Sequence, residues 1–245
     1  MVSKETGKVP AIIWDYDGTL VDTRQKNFKV TRKIIDNVLE AGWNKFSVLE
    51  TVENYNSAHN KATNWREFYK QSFELNDKQI DVAGRMWTQY QLDDVTLVPP
   101  VDGVFDVITT LEKFPHGIVS QNSRENIIQY LKEKNLLSYF KSIIGYEEVD
   151  LERQKPNPEG LLMCIEELTS FNAGYVFYVG DHETDVRCAL NANKELTERN
   201  TSLKIVAIGA LYGYNADTSK WILQPDYYVS KAEDIINIIS GLEEQ

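Results

Sequence analysis

An apolar run that breaks on two aspartates is the most restrictive feature of the chain. Ala11, Ile12, Ile13 and Trp14 lead into Asp15-Tyr16-Asp17-Gly18, with Thr19-Leu20-Val21-Asp22-Thr23 after it. A buried strand therefore ends at Asp15, and Gly18 lets the backbone turn sharply. In an open parallel sheet, ligands bind outside the carboxyl ends of the strands, so Asp15 and Asp17 stand where a site is expected. Aspartates after a strand also serve simply to cap a turn. The two readings separate on whether later strands end in matching chemistry.

Beyond Asp22 the pattern becomes helical for about seventy residues. Phe28, Ile34, Ile35, Val38 and Leu39 form one stripe that ends near Gly42, and Asn64 with Glu67 has capping-box spacing ahead of Trp65, Phe68, Tyr69 and Phe73. Ile80, Ala83, Met86, Trp87 and Tyr90 make a third stripe. An all-helical insertion after the first strand of an α/β core reads as a separate cap domain over residues 22–95. It carries 11 Lys plus Arg and 11 Asp plus Glu, so the net charge of -11 belongs to the rest of the chain. Arg24, Lys26, Lys29, Arg32 and Lys33 crowd its first helix and read mainly as a solvated face. The cap aromatics read as cap core.

After Pro99-Pro100, strand and helix alternate. Strands are expected at 116–120, 142–145, 175–180, 203–209 and 226–229, with helices between them and a last one over 232–242. Asn157-Pro158 predicts a helix start, with Asn157 at the N-cap and Pro158 in the first turn. The fold class is α/β: a Rossmann-like, mostly parallel sheet core over residues 1–21 and 96–245, with the inserted helical cap at 22–95.

The later strands do end in complementary chemistry. Strand 116–120 gives Ser120-Gln121-Asn122, Lys155 precedes the helix start, and strand 175–180 runs into Gly180-Asp181 with Asp185 beyond. Parallel geometry puts these ends on one edge of the sheet. Two carboxylates about 4 Å apart repel by roughly 4 kcal/mol at an effective dielectric of 20, so three or four of them call for a cation or for protons. Oxygen-only ligands suit Mg²⁺, which commonly binds through carboxylates plus a substrate phosphate. Lys155 adds a point charge and Ser120 a hydroxyl for a phosphoryl group. A carboxylate nucleophile can carry that group as an aspartyl phosphate, and Asp17 is placed to give and take the proton.

In order, Asp15-Tyr16-Asp17-Gly18-Thr19-Leu20-Val21-Asp22, Ser120, Lys155-Pro156-Asn157-Pro158, and Gly180-Asp181 with Asp185 resemble the four motifs of the haloacid dehalogenase-like hydrolases. The likeness spans the whole core, and the helical insertion is similar to the family's C1-type cap. The resemblance implies that Asp15 is the nucleophile and Asp17 the acid and base. Ser120 and Lys155 would hold the phosphoryl group, with Thr19 and Gln121 as further substrate contacts. The expected metal set is Asp15, Asp17 through its carbonyl, and Asp181, supported by Asp185. The family's dehalogenases lack the second aspartate, so Asp17 favours phosphoryl transfer. The expected activity is Mg²⁺-dependent hydrolysis of a small phosphorylated metabolite, as in phosphoglycolate phosphatases. A phosphomutase like β-phosphoglucomutase is the alternative, and a non-catalytic ligand-binding member of the fold is a third reading. The resemblance implies a cap that closes over the site, and Arg24 and Phe28 are candidates to line it. Ser120-Gln121 replaces the family's more common threonine and asparagine, which implies altered substrate contacts. Leu211-Tyr212-Gly213-Tyr214 is similar to a loop of some relatives and reads as a substrate contact or a surface turn.

An acidic chain lacks the basic footprint for nucleic acid or an anionic membrane. No apolar run approaches the length of a membrane span, and the first ten residues lack the apolar stretch of a signal peptide. Cys164 and Cys188 read as reduced core thiols, so a cytoplasmic protein is expected. His182 reads as an exposed loop histidine rather than a metal ligand, and His59 and His116 have no partner spacing. No feature specifies an oligomeric state.

Overall fold

A computed structural model describes residues 10–40, 42–62, 64–172, 174–213 and 218–243. The described strands are β1 (Ala11–Trp14), β2 (His116–Val119), β3 (Phe140–Ile144), β4 (Tyr175–Gly180), β5 (Lys204–Ala210) and β6 (Tyr227–Val229). They form one sheet in the order β3-β2-β1-β4-β5-β6, with every neighbouring pair parallel. Strand order reverses between β1 and β4, and that reversal opens the crevice in which sheets of this kind bind ligands.

The described helices are α1 (Arg24–Leu39), α2 (Val52–His59), α3 (Trp65–Phe73), α4 (Asp77–Asp93), α5 (Val104–Thr110), α6 (Arg124–Glu133), α7 (Glu159–Thr169), α8 (Glu183–Glu198) and α9 (Asp234–Glu243). Among the described residues no helix is long and apolar enough to cross a membrane. The chain divides into two compact units, Met1–Val21 with Pro100–Gln245, and Asp22–Pro99.

In the first unit every residue of β1 is fully buried, because helices cover a parallel sheet on both faces. Ala11 and Ile13 meet α7 and α8 in a cluster that includes Leu161, Cys164, Ile165, Cys188 and Ala192. Both cysteines are buried and unpaired. On the opposite face of β1, Trp14 donates its indole N–H to His116 Nδ1 at 3.0 Å. That bond leaves the proton on His116 Nε2, which donates to the Leu111 carbonyl at 3.1 Å.

The second unit has its own core. Phe28, Ile34, Ile35, Phe68, Tyr69, Phe73 and Ile80 form one buried cluster, as the helical stripes predict, and Tyr55 joins them. Asn64 and Asn76 cap α3 and α4 by accepting from Glu67 N and Gln79 N. The sequence pattern passes over α2, since only Tyr55 in it is buried; Thr51 caps it by accepting from Asn54 N at 3.1 Å. This unit extends to Pro99 rather than Val95. Lys33 pairs with Asp94 at 2.7 Å, Lys29 reaches Thr96 Oγ1 at 3.1 Å, and Asp22 N donates to the Pro99 carbonyl at 2.9 Å. Helix α7 starts one residue later than the Asn-Pro signal indicates. Pro158 takes the N-cap position, while Asn157 Oδ1 still accepts from Glu159 N at 3.0 Å.

Candidate active site

Strands β1 and β4 run side by side, and Asp15 N donates to the Val179 carbonyl at 2.8 Å, which carries their pairing one residue past the end of β1. Asp15 and Asp181 therefore emerge together. One carboxylate oxygen from each of Asp15, Asp181 and Asp185 falls within 4.8 Å of the other two, and all three residues are buried. The Lys155 ammonium lies between two of them, 2.5 Å from Asp15 Oδ1 and 2.7 Å from Asp185 Oδ1.

Two glycines make room for this cluster. Gly18 has φ +86°, and a Cβ there would lie 2.2 Å from Asp181 Oδ2. A Cβ on Gly180 would lie 2.4 Å from Asp185 Cγ. Both carboxylates sit where only a backbone without a side chain can approach.

One ammonium does not balance three buried carboxylates. Burial pushes the Asp15 carboxyl up to about 7; Lys155 pulls against that rise, while Asp185 and Asp17 add to it. Burial alone would lower Lys155, but Asp15 and Asp185 outweigh it and hold the ammonium above its usual range. Lys155 is therefore charged, and the cluster retains excess negative charge. Hard oxygen donors in that state fit a divalent cation such as Mg²⁺. Asp15 and Asp181 would hold it directly. Asp185 stands behind them, because Oδ1 already accepts from Lys155 and from Tyr178 OH at 3.0 Å, and Oδ2 accepts from His182 N at 3.2 Å.

The remaining expected residues join the same network. Thr19 is fully buried, and its hydroxyl donates to Asp181 Oδ1 at 3.4 Å, so it faces a carboxylate of the cluster. Gln121 Nε2 donates to the Lys155 carbonyl at 3.3 Å. Ser120 is 5% exposed and accepts from Asn122 N at 3.0 Å. Asn122 Nδ2 in turn approaches both oxygens of Asp17 at 3.1 Å.

The reading of His182 as an exposed loop histidine changes. His182 is partly buried and is the N-cap of α8, with Nδ1 accepting from Thr184 N at 3.2 Å. Burial lowers its imidazole, which keeps the ring neutral and able to accept. Phe28 packs in the second unit's core, and Arg24 pairs with Asp22 at 2.6 Å. Asn122 belongs to a polar strand end in the sequence but carries no role there, and Tyr178 does not stand out: a tyrosine inside a buried strand is ordinary. Tyr178 carries a faint signal, since a buried phenol needs a partner; burial, then the nearby Asp185, raises it far above its usual value and keeps it a donor. Tyr212, in the turn after β5, has a buried hydroxyl without a hydrogen-bond partner. Burial raises it, with Asp181 and Asp15 adding to the effect. Tyr214 of the same loop lies outside the described residues.

A family model described as haloacid dehalogenase-like hydrolase matches residues 12–197. The pyrophosphatase PpaX of Listeria monocytogenes is 27% identical over 249 residues, covering 97% of this chain and 100% of the relative. PpaX of Bacillus velezensis is 22% identical over 234 residues, with 94% and 96% covered. Among solved structures, a HAD-superfamily hydrolase of subfamily IA from Geobacter sulfurreducens superposes with TM-score 0.59 at 20% identity, covering 97% and 99%. A "predicted phosphoglycolate phosphatase" from Haemophilus somnus superposes with TM-score 0.71 at 15% identity, covering 96% and 99%.

Proposed function

Because the chain belongs to the haloacid dehalogenase-like hydrolases, we propose that it is a Mg²⁺-dependent phosphatase acting on a small phosphorylated metabolite through an aspartyl phosphate on Asp15. The observation that carries this reading is the buried meeting of Asp15, Asp181 and Asp185, with the Lys155 ammonium 2.5 Å from Asp15 and 2.7 Å from Asp185. Such a cluster is costly to bury and has a use only where charge must be managed.

In the first step an Asp15 oxygen attacks phosphorus, and the bond to the leaving oxygen breaks with its electron pair. That oxygen takes the proton held by Asp17. In the second step water attacks the phosphorus, Asp17 takes a proton from it, and the bond to Asp15 breaks to release phosphate. Lys155 and the Ser120 hydroxyl orient the phosphoryl oxygens, and Lys155 works against the burial that raises Asp15, favouring the ionised form that attacks. Bound Mg²⁺ would supply charge neutralisation at those oxygens. The proposal includes a cytoplasmic location, where thiols such as the buried Cys164 and Cys188 stay reduced.

A second reading, favoured by the PpaX relatives that match 97% of the chain, makes inorganic pyrophosphate the substrate. The same two steps apply, with phosphate as the leaving group.

The test is phosphate release by the protein and by Asp15→Asn from phosphoglycolate, sugar phosphates and pyrophosphate, with Mg²⁺ and with chelator. The expected result is Mg²⁺-dependent turnover of at least one compound and none by the variant. A folded protein that releases phosphate from none of them overturns the proposal, while preference for pyrophosphate selects the second reading.

A further inference from the structure

Asn122 is 4% exposed and sits in the loop from β2 to α6. Its backbone N–H donates to Ser120 Oγ, and its carbonyl accepts from Tyr146 N at 3.1 Å. Its side-chain oxygen accepts from Ser123 N at 2.7 Å and from Asn126 Nδ2 at 3.4 Å. Those donors fix the amide's orientation, because a flipped amide would point its N–H groups at a backbone N–H. The nitrogen is thereby left facing Asp17, 3.1 Å from each carboxylate oxygen. Gly145 clears the space behind the loop: a Cβ there would lie 2.5 Å from Arg124 N and 2.9 Å from the Asn122 carbonyl.

An asparagine anchored on its oxygen side and presenting its donors to one carboxylate does more than close a turn. We propose that Asn122 is the positioning residue for proton delivery, holding the Asp17 carboxyl in the orientation from which the leaving oxygen is protonated. This rests on the reading of Asp17 as general acid and base. Asn122 acts through Asp17, whose carboxylate it holds. Ser120, on the same loop, is the residue that the proposed mechanism assigns to the phosphoryl oxygens, so one short segment would set both the phosphoryl site and the proton donor.

A role through Asp17 has a signature that loop stabilisation lacks. An alkyl phosphate leaves as a poor alkoxide and needs the proton, whereas p-nitrophenolate leaves without one. The ratio of kcat/KM for an alkyl phosphate to that for p-nitrophenyl phosphate reads the difference, since both values report steps up to phosphorylation of Asp15. The informative variant is Asn122→Asp at pH 8, which keeps the shape and the acceptor for Ser123 N–H but removes the donors to Asp17. Asn122→Ala is the second variant, and thermal unfolding with circular dichroism confirms that each is folded.

We expect both variants to lower alkyl phosphate turnover by about 100-fold, to change the aryl ester less than tenfold, and to match the selectivity of Asp17→Asn. An equal loss on both esters, with Asp17→Asn selective, overturns the role of Asn122 and leaves Asp17 as the acid. An unselective Asp17→Asn removes the premise and the inference with it.

Discussion

At the scale of single residues, Lys155 and Gly18 decide whether three carboxylates can share one buried place. Lys155 is the cation the fold itself supplies, at 2.5 and 2.7 Å from Asp15 and Asp185. Replacing it by methionine leaves buried carboxylates without a counter-charge, a loss of about 3–5 kcal/mol for a broken buried pair. Lys155→Met should unfold at lower denaturant than wild type in chelator, and Mg²⁺ should restore part of the difference; equal midpoints in chelator would disprove this. Gly18 acts by having no Cβ, since one would overlap Asp181 Oδ2 at φ +86°. Gly18→Ala should therefore displace Asp181 and weaken Mg²⁺ binding roughly tenfold or more, read by titration calorimetry on a variant whose circular dichroism is unchanged.

The acid sensitivity of the sheet lies in an element away from those carboxylates. On β2, His116 is buried, accepts from Trp14 and donates to Leu111. Burial holds it down at about 4, against the bond to the Leu111 carbonyl. The unfolded chain binds this proton below pH ~6.5 and the folded chain only near pH 4, so the contribution is complete above 6.5 and lost as pH falls toward 4. The difference amounts to roughly 3 kcal/mol. His116→Gln should flatten the stability profile between pH 6.5 and 4 relative to wild type in urea unfolding. Gly117, the next residue of β2, faces α7; a Cβ there would lie 2.4 Å from Cys164 Sγ and 3.0 Å from Leu168 Cδ1. Gly117→Ala should cost about 1–3 kcal/mol by overpacking, seen as a lower midpoint with an unchanged slope.

Taken as a whole molecule, the chain gathers its candidate site in one unit. Asp15, Lys155, Asp181 and Asp185 all belong to the unit that omits residues 22–99. The chain leaves and re-enters it at one place, where Val21 bridges Pro100 and Val101 N donates to the Leu20 carbonyl at 2.9 Å. Substituting a short glycine-serine linker for 22–99 should leave a cooperatively folding protein that Mg²⁺ still stabilises in thermal melts. Loss of cooperative unfolding would show that this unit depends on the other for its fold.

The strands, the parallel character of the sheet and most helices were legible in the sequence because burial on both faces writes continuous apolar runs, and amphipathic faces repeat every three to four residues, whereas the order of the strands was not. Helix α2 was not, since a short helix burying only Tyr55 writes no stripe. Asp15, Asp17, Ser120, Lys155, Asp181 and Asp185 were readable as residues at strand ends or in the segments that follow them, because one edge of a parallel sheet collects those segments whatever their distance along the chain. Side-chain orientation was not readable. That Thr19 turns to Asp181, that Tyr178 donates to Asp185 from within a strand, that His182 caps a helix and that Asn122 faces Asp17 depend on which donor finds which acceptor once the backbone is placed. The sequence by itself determined which chemical groups reach the sheet edge, because periodicity and turn residues are local. Only the tertiary structure decided how they pair, because hydrogen bonds and buried charges are settled by distances between segments that the order of residues does not encode.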